Sequence, residues 1–530
     1  MARFRHLIPV GLALALTLTA CAGGKSGPGG SGGQAADGKP VQGGTLTVGV
    51  ATEPNTVDVY QMTWSGGLEN MFQSLLSRDF DYKYADGLAE KWTSSPDGKT
   101  WTFTLKQNVK FHDGTPFDAE AVKRHFETMR DKATAAQQAS EWEWFESMTV
   151  VDPHTIRFNL KQPFPNAEFR NSKTYGAIQS PTAYAQHGPN GDKTYGIDVA
   201  VGTGPFKLGQ YVPGDKLVMK RNPDYAWAPK WAANQGAPYI DQLVWRLIPD
   251  SSTRLTELET GNIQVLLDLP VEQYDRAKAI SGVEVAQRPG FGLGYLDFRK
   301  DKAPFNNVKV RQAVNLAIDR EAIVKSIFFG HAKAAYGLVP SELSSYYEQK
   351  DAHSLNVAKA KQLLQEAAYD PNQTIQLITR NRTEHVRIAE AVQPMLQAIG
   401  MKVEIVQYDA AALKAKQKEG AWQLAVSQYS WDDPDILGWF LYGKNAPSLN
   451  SSGWADKQTD QLFEAAESAP SPKERDAKYK ELQQYLIAQA VWAPIWFPLS
   501  FDAIRTDLVK GYKTHPSGPY FPDLWLANGK

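Results

Sequence analysis

The C-terminal half of the chain carries the pattern that most restricts the fold. Thr374 to Thr379 and Lys402 to Gln407 are apolar runs of strand length, and Glu384 to Ile399 has apolar residues at helical spacing. Gly400 stops the helix, since glycine readily takes the left-handed conformation that ends helices. The two strands should therefore be parallel neighbours joined by a right-handed crossover. Trp422 to Gln428 predicts a further strand, which indicates an open α/β sheet.

The N-terminal half mixes strands and helices. Alternating apolar residues predict strands at Thr45 to Val50, Lys99 to Leu105 and Thr155 to Leu160, and Gly67 to Leu76 is predicted to be a short helix. Asp118 is a suitable N-cap for a following helix. The apolar face of that helix is predicted to consist of Val122, Phe126 and Met129.

The first 20 residues have the pattern of a signal peptide. Arg3 and Arg5 precede an apolar stretch from Leu7 to Leu18, shorter than the ~20 residues that a membrane-spanning helix needs. Cys21 follows and is the only cysteine, so no internal disulfide can form. Residues 18–21 resemble a bacterial lipobox, in which lipid is attached to the cysteine after cleavage. We expect a lipid anchor at Cys21 on the extracytoplasmic face of the cell membrane.

The residues after Cys21 predict a flexible linker. Residues 22–40 contain eight glycines and no large apolar side chain, so they cannot contribute to a hydrophobic core. We expect the lipidated cysteine and its linker to occupy residues 21–43, with the folded body beginning at Gly44.

Charge and motifs exclude several classes of function. The formal net charge is −1, and the basic residues form no cluster, which argues against nucleic-acid binding. The chain has no HExxH, Walker A or GxSxG motif, and His112 and Asp113 lie in a turn where a structural role is expected. We therefore predict no enzymatic activity, no bound metal, no cofactor, and contact with the membrane only through the lipid anchor.

Candidate ligand-binding residues follow the carboxyl ends of predicted strands. In open α/β sheets, ligands bind at these ends because the loops converge there. Three such loops follow Val50, Thr379 and Gln428. The candidates on these loops and on a further predicted strand are Glu53, Asn55, Trp64, Tyr295, Arg380, Arg382, Tyr429, Ser430, Trp431 and Asp432.

The loop at residues 429–435 has two equally supported interpretations. Its aromatic residues and three carboxylates suit stacking on a ligand and pairing with an amine or another cation. Alternatively, Trp431 packs in the core or at a hinge, and Asp433 or Asp435 caps the helix that follows.

Several segments together resemble the extracellular solute-binding proteins of family 5, which serve ABC importers of oligopeptides, dipeptides and nickel. The similarity extends over roughly residues 44–530. The segments are 87–92 (GLAEKW), 96–101 (PDGKTW), 109–117 (VKFHDGTPF), 202–206 (GTGPF), 222–225 (NPDY), 307–314 (NVKVRQAV) and 317–320 (AIDR).

The resemblance implies an α/β, two-lobed periplasmic-binding-protein-like fold, of class II and the large peptide-binding type, with an extra subdomain in lobe one. It implies a monomer that captures a small solute, expected to be a peptide, and delivers it to permease and ATPase subunits. The implied regions are a signal peptide at 1–20, lobe one at 44–288 with an inserted subdomain at about 63–199, lobe two at 289–497, and a return to lobe one at 498–530.

The sequence departs from the family at one position. Peptide binders of this family often use an aspartate in the pattern Asp-Tyr-x-Asp-Pro to pair with the peptide's α-amino group. Aligning Asp433 and Pro434 with the last two residues of that pattern places Ser430 where the aspartate would stand, although Asp432 could take its role. A nickel or metallophore complex, an oligosaccharide, a carbohydrate-active enzyme, and a sensor or envelope-assembly lipoprotein remain alternatives.

Overall fold

The computed structural model describes residues 38–62, 66–173, 176–446 and 449–529. The predicted signal peptide, Cys21, residues 22–37 of the predicted linker, and Trp64 lie outside the described residues.

The strands follow one another along the chain. They are β1 (Thr45–Val50), β2 (Leu76–Arg78), β3 (Tyr84–Asp86), β4 (Ala89–Ser94), β5 (Thr100–Leu105), β6 (Phe145–Asp152), β7 (Thr155–Leu160), β8 (Phe206–Val212), β9 (Lys216–Arg221), β10 (Gln242–Leu247), β11 (Val265–Leu266), β12 (Val283–Pro289), β13 (Gly292–Phe298), β14 (Ala332–Ala334), β15 (Thr374–Arg380), β16 (Lys402–Tyr408), β17 (Leu424–Ser430), β18 (Trp492–Arg505), β19 (Val509–Lys510) and β20 (Trp525–Leu526).

The helices are concentrated between β13 and β18. They are α1 (Ala119–Arg130), α2 (Ala167–Arg170), α3 (Pro181–His187), α4 (Ser251–Glu259), α5 (Tyr274–Lys278), α6 (Val308–Ala317), α7 (Arg320–Ile327), α8 (Lys350–His353), α9 (Val357–Glu366), α10 (Thr383–Ala398), α11 (Ala410–Glu419), α12 (Ile436–Leu441), α13 (Lys457–Glu467) and α14 (Pro472–Ala488). None of the helices in the described residues is long and apolar enough to span a bilayer.

The β-α-β unit predicted in the C-terminal half is confirmed. Strands β15 and β16 are parallel from the pair Thr374 and Lys402 to the pair Arg380 and Tyr408, and α10 connects them. Gly400 follows the helix with a φ of +95°, the left-handed conformation expected there. β17 is also parallel to β15, which makes it the further strand of this sheet.

One large mixed sheet connects the two halves of the body. Its strand order is β16-β15-β17-β13-β18-β11-β1-β10-β9-β8, and β12 and β14 also pair with β18. The start of β18 pairs with β13, whereas Leu499 to Arg505 pair with β12. β18 therefore belongs to both halves of the molecule, with Pro498 near the change of partner.

The chain crosses between the halves a second time beside β18. Gly290 lies between β12, which belongs to the first half, and β13, which belongs to the second. The N–H of Gly290 donates a hydrogen bond of 3.2 Å to the carbonyl oxygen of Pro498. The two crossings are thus adjacent. Each cluster of buried apolar side chains in the described residues draws on one half only, so the fold has two lobes with separate cores.

A smaller antiparallel sheet, β4-β5-β7-β6, packs with α1 in the first half. The carboxylate of Asp118 accepts a hydrogen bond of 2.8 Å from the N–H of Ala121, which confirms the predicted N-cap of α1. The predicted apolar face is also confirmed, because Val122, Phe126 and Met129 are buried.

The predicted helix from Gly67 to Leu76 is wrong. Only a 3₁₀ turn forms, at Leu68–Asn70, and the chain then extends towards β2. Gln73 forms an isolated bridge with Ile178, and the N–H of Leu76 donates to Asn171. These long-range backbone partners override the local helical pattern.

Candidate ligand-binding site

A cavity of about 740 Å³ lies between the two lobes. Arg78 and Tyr82 line it from the first lobe, and Trp431 and Asp432 line it from the second. Cavities that bind small molecules typically measure about 300–1,000 Å³. The size therefore suits a small solute held by both lobes.

Two aromatic rings meet at the edge of the cavity where the chain crosses between lobes. Tyr82 lies in the turn between β2 and β3, and Phe291 follows Gly290. The rings are stacked, with centroids 4.2 Å apart. Asp79 fixes the turn, because its carboxylate accepts hydrogen bonds from the N–H groups of Asp81 and Lys83 at 2.9 and 2.8 Å.

Asp432 connects the second lobe to two residues of the first. Its carboxylate forms an ion pair with Lys173 and accepts a hydrogen bond from the hydroxyl of Tyr82. Burial and the charge of Asp432 raise the pKa of Tyr82 well above its ordinary value, so this phenol stays a donor at neutral pH. The charge of Asp432 is thus balanced by Lys173 when the two lobes are in contact.

Asp433 forms a buried ion pair within the second lobe. Its two carboxylate oxygens accept hydrogen bonds of 2.7 and 3.0 Å from the guanidinium of Arg475. Burial alone would raise the pKa of Asp433, but Arg475 holds it below its ordinary value. Asp435 is the N-cap residue of α12, as one of the two interpretations predicted, but its side chain forms no capping hydrogen bond. The carboxylate of Asp433 instead accepts a hydrogen bond of 2.9 Å from the N–H of Asp435.

Asp435 bonds across the interface between the lobes. Its carboxylate accepts hydrogen bonds from Arg170 at 3.0 Å and Asn166 at 3.3 Å, both in the first lobe. It also accepts a bond of 2.6 Å from the indole N–H of Trp431. Burial and the nearby charge of Asp433 raise the pKa of Asp435 well above its ordinary value.

Trp431 packs between the two lobes and also lines the cavity. Its ring packs against Phe169 of the first lobe, at 5.7 Å between centroids, and against Trp439 at 5.0 Å. The half-buried side chain also lines the cavity. It can therefore contact a ligand while helping to hold the loop in place.

Two arginines of the first lobe line the cavity, with different partners. Arg288 is engaged by carboxylates, donating to Asp502 at 2.9 Å and to Asp268 at 2.5 Å. Arg78 donates to the carbonyl oxygen of Tyr82 at 3.1 Å and lies 3.7 Å from the ring centroid of Tyr84. Among the described residues, Arg78 forms no ion pair with a carboxylate, so its charge is available to an anionic group of a ligand.

Glu69 lines the cavity from the 3₁₀ turn of the first lobe. The side chain is exposed, and it lines the cavity. Desolvation by the protein atoms around the cavity raises the pKa of Glu69 to about 7, although the backbone N–H groups of Glu69 and Gly67 partly favour the charged form. Among the described residues, no cation forms an ion pair with Glu69.

The structure brings three of the predicted binding residues to the cavity, namely Ser430, Trp431 and Asp432. It places Tyr295 and Tyr429 in the core instead, where they are 3% and 5% exposed. The hydroxyl of Tyr429 donates to the carbonyl oxygen of Leu338 at 2.7 Å. Both tyrosines lie on inner strands that are covered on both faces, which the sequence pattern alone did not reveal.

The other predicted binding residues that the structure describes lie away from the cavity lining. Glu53 accepts a bond of 2.6 Å from the N–H of Gly214, and the Asn55 amide donates to Gln61 at 3.2 Å. Arg380 is exposed at the end of β15, and Arg382 pairs with Glu384 at 3.0 Å. β15 is separated from the central strand β18 by β17 and β13, so its loop opens elsewhere.

Sequence reasoning missed most of the cavity lining. The missed residues have no motif in common, and their only local signal is the glycine-rich segment around Phe291. They include Glu69, Arg78, Tyr82, Lys173, Trp231, Trp245, Arg288, Phe291 and the segment 515–521.

Within the described ranges, no group of three or more His, Cys, Asp or Glu side chains is placed to hold a metal ion. The cavity instead offers aromatic rings, carboxylates and guanidinium groups, which suit hydrogen bonding and ion pairing with an organic solute.

Comparison with known proteins is consistent with this arrangement. The family profile described as "Bacterial extracellular solute-binding proteins, family 5 Middle" matches residues 83–448. The glutathione-binding protein GsiB of Salmonella paratyphi A is 31% identical over 471 residues, covering 85% of this chain and 88% of the relative. GsiB of Escherichia coli O1:K1 / APEC is 29% identical over 472 residues, with the same coverage of 85% and 88%.

Solved structures show the same fold. DppA from Helicobacter pylori in complex with the peptide STSA has a TM-score of 0.73 at 26% identity, covering 92% of this chain and 98% of that protein. AppA from Bacillus subtilis in complex with a nonapeptide has a TM-score of 0.73 at 25% identity, covering 92% and 100%. CtaP from Listeria monocytogenes reaches a TM-score of 0.81 at 22% identity, covering 92% and 99%, and supports the fold alone.

Proposed function

The chain belongs to the bacterial extracellular solute-binding proteins of family 5, and we propose that it captures a peptide or peptide-like solute for an ABC importer. The observation that carries this proposal is the position of the cavity between the lobes, with Asp432 bonded to Lys173 and Tyr82 across it. A solute enclosed there contacts both lobes at once.

The mechanism requires closure around the solute and no change in its covalent structure. A ligand that touches both lobes binds the closed form more tightly than the open form, and so shifts the population towards closure. Gly290 and Pro498 are the proposed hinge, since each lies where the chain crosses between lobes. The lobe limits predicted at 288/289 and 497/498 are part of this proposal.

The chemistry of the cavity supports a zwitterionic solute such as a short peptide. Arg78 offers a guanidinium to a carboxylate, and Glu69 offers an acid to an amine. Trp431 and Tyr82 provide aromatic surface for side chains of the solute. GsiB, a relative of this chain, is named for binding glutathione, and DppA was solved with a peptide, so both support this class of ligand.

Lipid attachment at Cys21 is a further part of the proposal. An anchored protein holds its captured solute near the permease and ATPase subunits, which raises the effective concentration of the solute as a linker does. The proposed location is the extracytoplasmic face of the cell membrane, and the protein is proposed to act as a monomer.

A thermal-shift screen tests the function. Dipeptides, tripeptides, pentapeptides and glutathione are compared with chito-oligosaccharides, cello-oligosaccharides and Ni²⁺ chelates. A bound ligand at 100 times its Kd stabilises the protein by about 2.7 kcal/mol. We expect at least one peptide or glutathione to raise the melting temperature. A shift with a sugar or chelate and with none of the peptides or glutathione would contradict the proposal.

A further inference from the structure

One carboxylate of the cavity lining, that of Glu69, has no cationic partner among the described residues. Asp432 is paired with Lys173, and Asp268 is paired with Arg288. Glu69 lines the same cavity, and among the described residues it has neither an ion pair nor a side-chain hydrogen bond to its carboxylate. Its environment therefore differs from that of the other two cavity carboxylates.

The side chain of Glu69 is exposed and lines the cavity, so its carboxylate is accessible to a solute held there. The pKa of Glu69 is raised to about 7 because desolvation in the cavity disfavours its ionised form. A ligand cation at this position would replace the missing counter-charge.

An aromatic ring of the cavity lining packs against the start of the 3₁₀ turn that carries Glu69. Gly67, two residues before it, lies against the indole of Trp245, because a Cβ atom on Gly67 would be 3.0 Å from the ring. Trp245 lines the cavity and contacts Phe521 edge to face, at 5.4 Å between centroids. Aromatic faces attract ammonium and guanidinium groups, most strongly when water is excluded.

We infer that Glu69 is the specificity-determining anchor for a cationic amine of the ligand, a role that rests on the proposed capture of a peptide-like solute. Asp432 would then act mainly in closure, because Lys173 and Tyr82 already occupy its carboxylate. The amine can be an α-ammonium group or a lysine side chain, since both carry the same charge.

Calorimetric titration of three probes tests this inference. The probes are Ala-Ala-Ala, its N-acetylated form, and N-acetyl-Ala-Lys-Ala, each titrated into the wild type, Glu69→Gln and the control Glu120→Gln. Glu120 is exposed in the first turn of α1 and is not part of the cavity lining. Glu69→Gln preserves the size of the side chain and removes its charge.

We expect Glu69→Gln to lower the affinity for the probe that carries the recognised amine by about tenfold or more, as the loss of a charged hydrogen bond predicts. N-acetyl-Ala-Ala-Ala, which lacks an amine, should bind both proteins equally, and Glu120→Gln should match the wild type. Recognition of Ala-Ala-Ala alone identifies an α-ammonium site, and recognition of the lysine probe identifies a side-chain site.

Proton release gives a second measurement that a purely structural role of Glu69 would not alter. Near pH 7 a bound ammonium group should favour the ionised form of Glu69 and so release its proton. Titrations in two buffers of different ionisation enthalpy should therefore show more protons released by the wild type than by Glu69→Gln. Equal affinity and equal proton release in the two proteins would overturn the inference and leave peptide capture intact. If no probe binds the wild type and the wider peptide screen is also negative, the proposed function fails, and this inference fails with it.

Discussion

Tyr82 and Phe291 stack with ring centroids 4.2 Å apart, and both have positive φ angles, of 63° and 34°. This backbone conformation is uncommon for bulky residues and persists only where the surroundings enforce it. Tyr82 belongs to the first lobe, and Phe291 lies beside the crossing to the second. The contact therefore joins the lobes at the edge of the cavity, next to the proposed hinge.

Replacing Phe291 with alanine should weaken ligand binding more than it weakens the unliganded fold. Aromatic pairs contribute about 0.5–1.5 kcal/mol beyond the area they bury, so we expect affinity to fall by roughly 2- to 13-fold. Phe329→Ala is a matched control, because Phe329 also has a positive φ, of 53°, but is 53% exposed. Calorimetric titration measures the affinity, and equal binding by the two variants would argue against a role of the stack in closure.

Replacing Arg475 with methionine should strongly destabilise the second lobe. The change leaves Asp433 buried without its cation, and breaking a buried ion pair in this way costs about 3–5 kcal/mol. Lys478→Met is the control on the same helix, since Lys478 and its partner Glu481 are 42% and 50% exposed. Urea unfolding of the unliganded protein compares the variants. If Arg475→Met unfolds at the same urea concentration as Lys478→Met, the Asp433 ion pair does not have this structural role.

Glu69 should give the unliganded protein a specific pH dependence. Its folded-state pKa of about 7 lies above the unfolded value, so the folded state binds the extra proton between these two values. The free energy of unfolding should therefore fall as the pH rises from about 4.3 towards 7. The difference in stability between the wild type and Glu69→Gln isolates this effect, because other titrating groups are common to both proteins. A difference that stays constant with pH would show that Glu69 has an ordinary pKa.

Replacing Cys21 with serine should release the protein from the membrane. The variant lacks the thiol to which lipid is expected to be attached, and no other cysteine is present. Fractionation of cells expressing each protein measures the membrane-bound share, after a high-salt wash that removes electrostatic contacts. Persistent attachment of Cys21→Ser after the wash would show that another part of the protein holds it there.

The sequence predicted the local elements well because the features that determine them are local. The spacing of apolar residues and the helix end at Gly400 were sufficient to predict β15, α10 and β16. The segment from Gly67 to Leu76 was misjudged because its partners, Ile178 and Asn171, lie about a hundred positions along the chain.

The cavity was harder to predict for the same reason. Its lining combines Glu69 and Tyr82 with Lys173, Phe291 and Asp432, which only the strand order and the two crossings bring together. The rule that ligands bind at the carboxyl ends of strands selected the loop after β17, whose Trp431 and Asp432 line the cavity. It did not identify which other strand ends face the cavity.

Calorimetric titration of the purified wild-type protein with the peptide panel and glutathione tests the central claim most directly. We predict that at least one of these solutes binds with one molecule per chain, and that mass spectrometry recovers it unchanged. Binding of a sugar or metal chelate with none by the peptides or glutathione, or conversion of the bound solute to a product, would contradict the account.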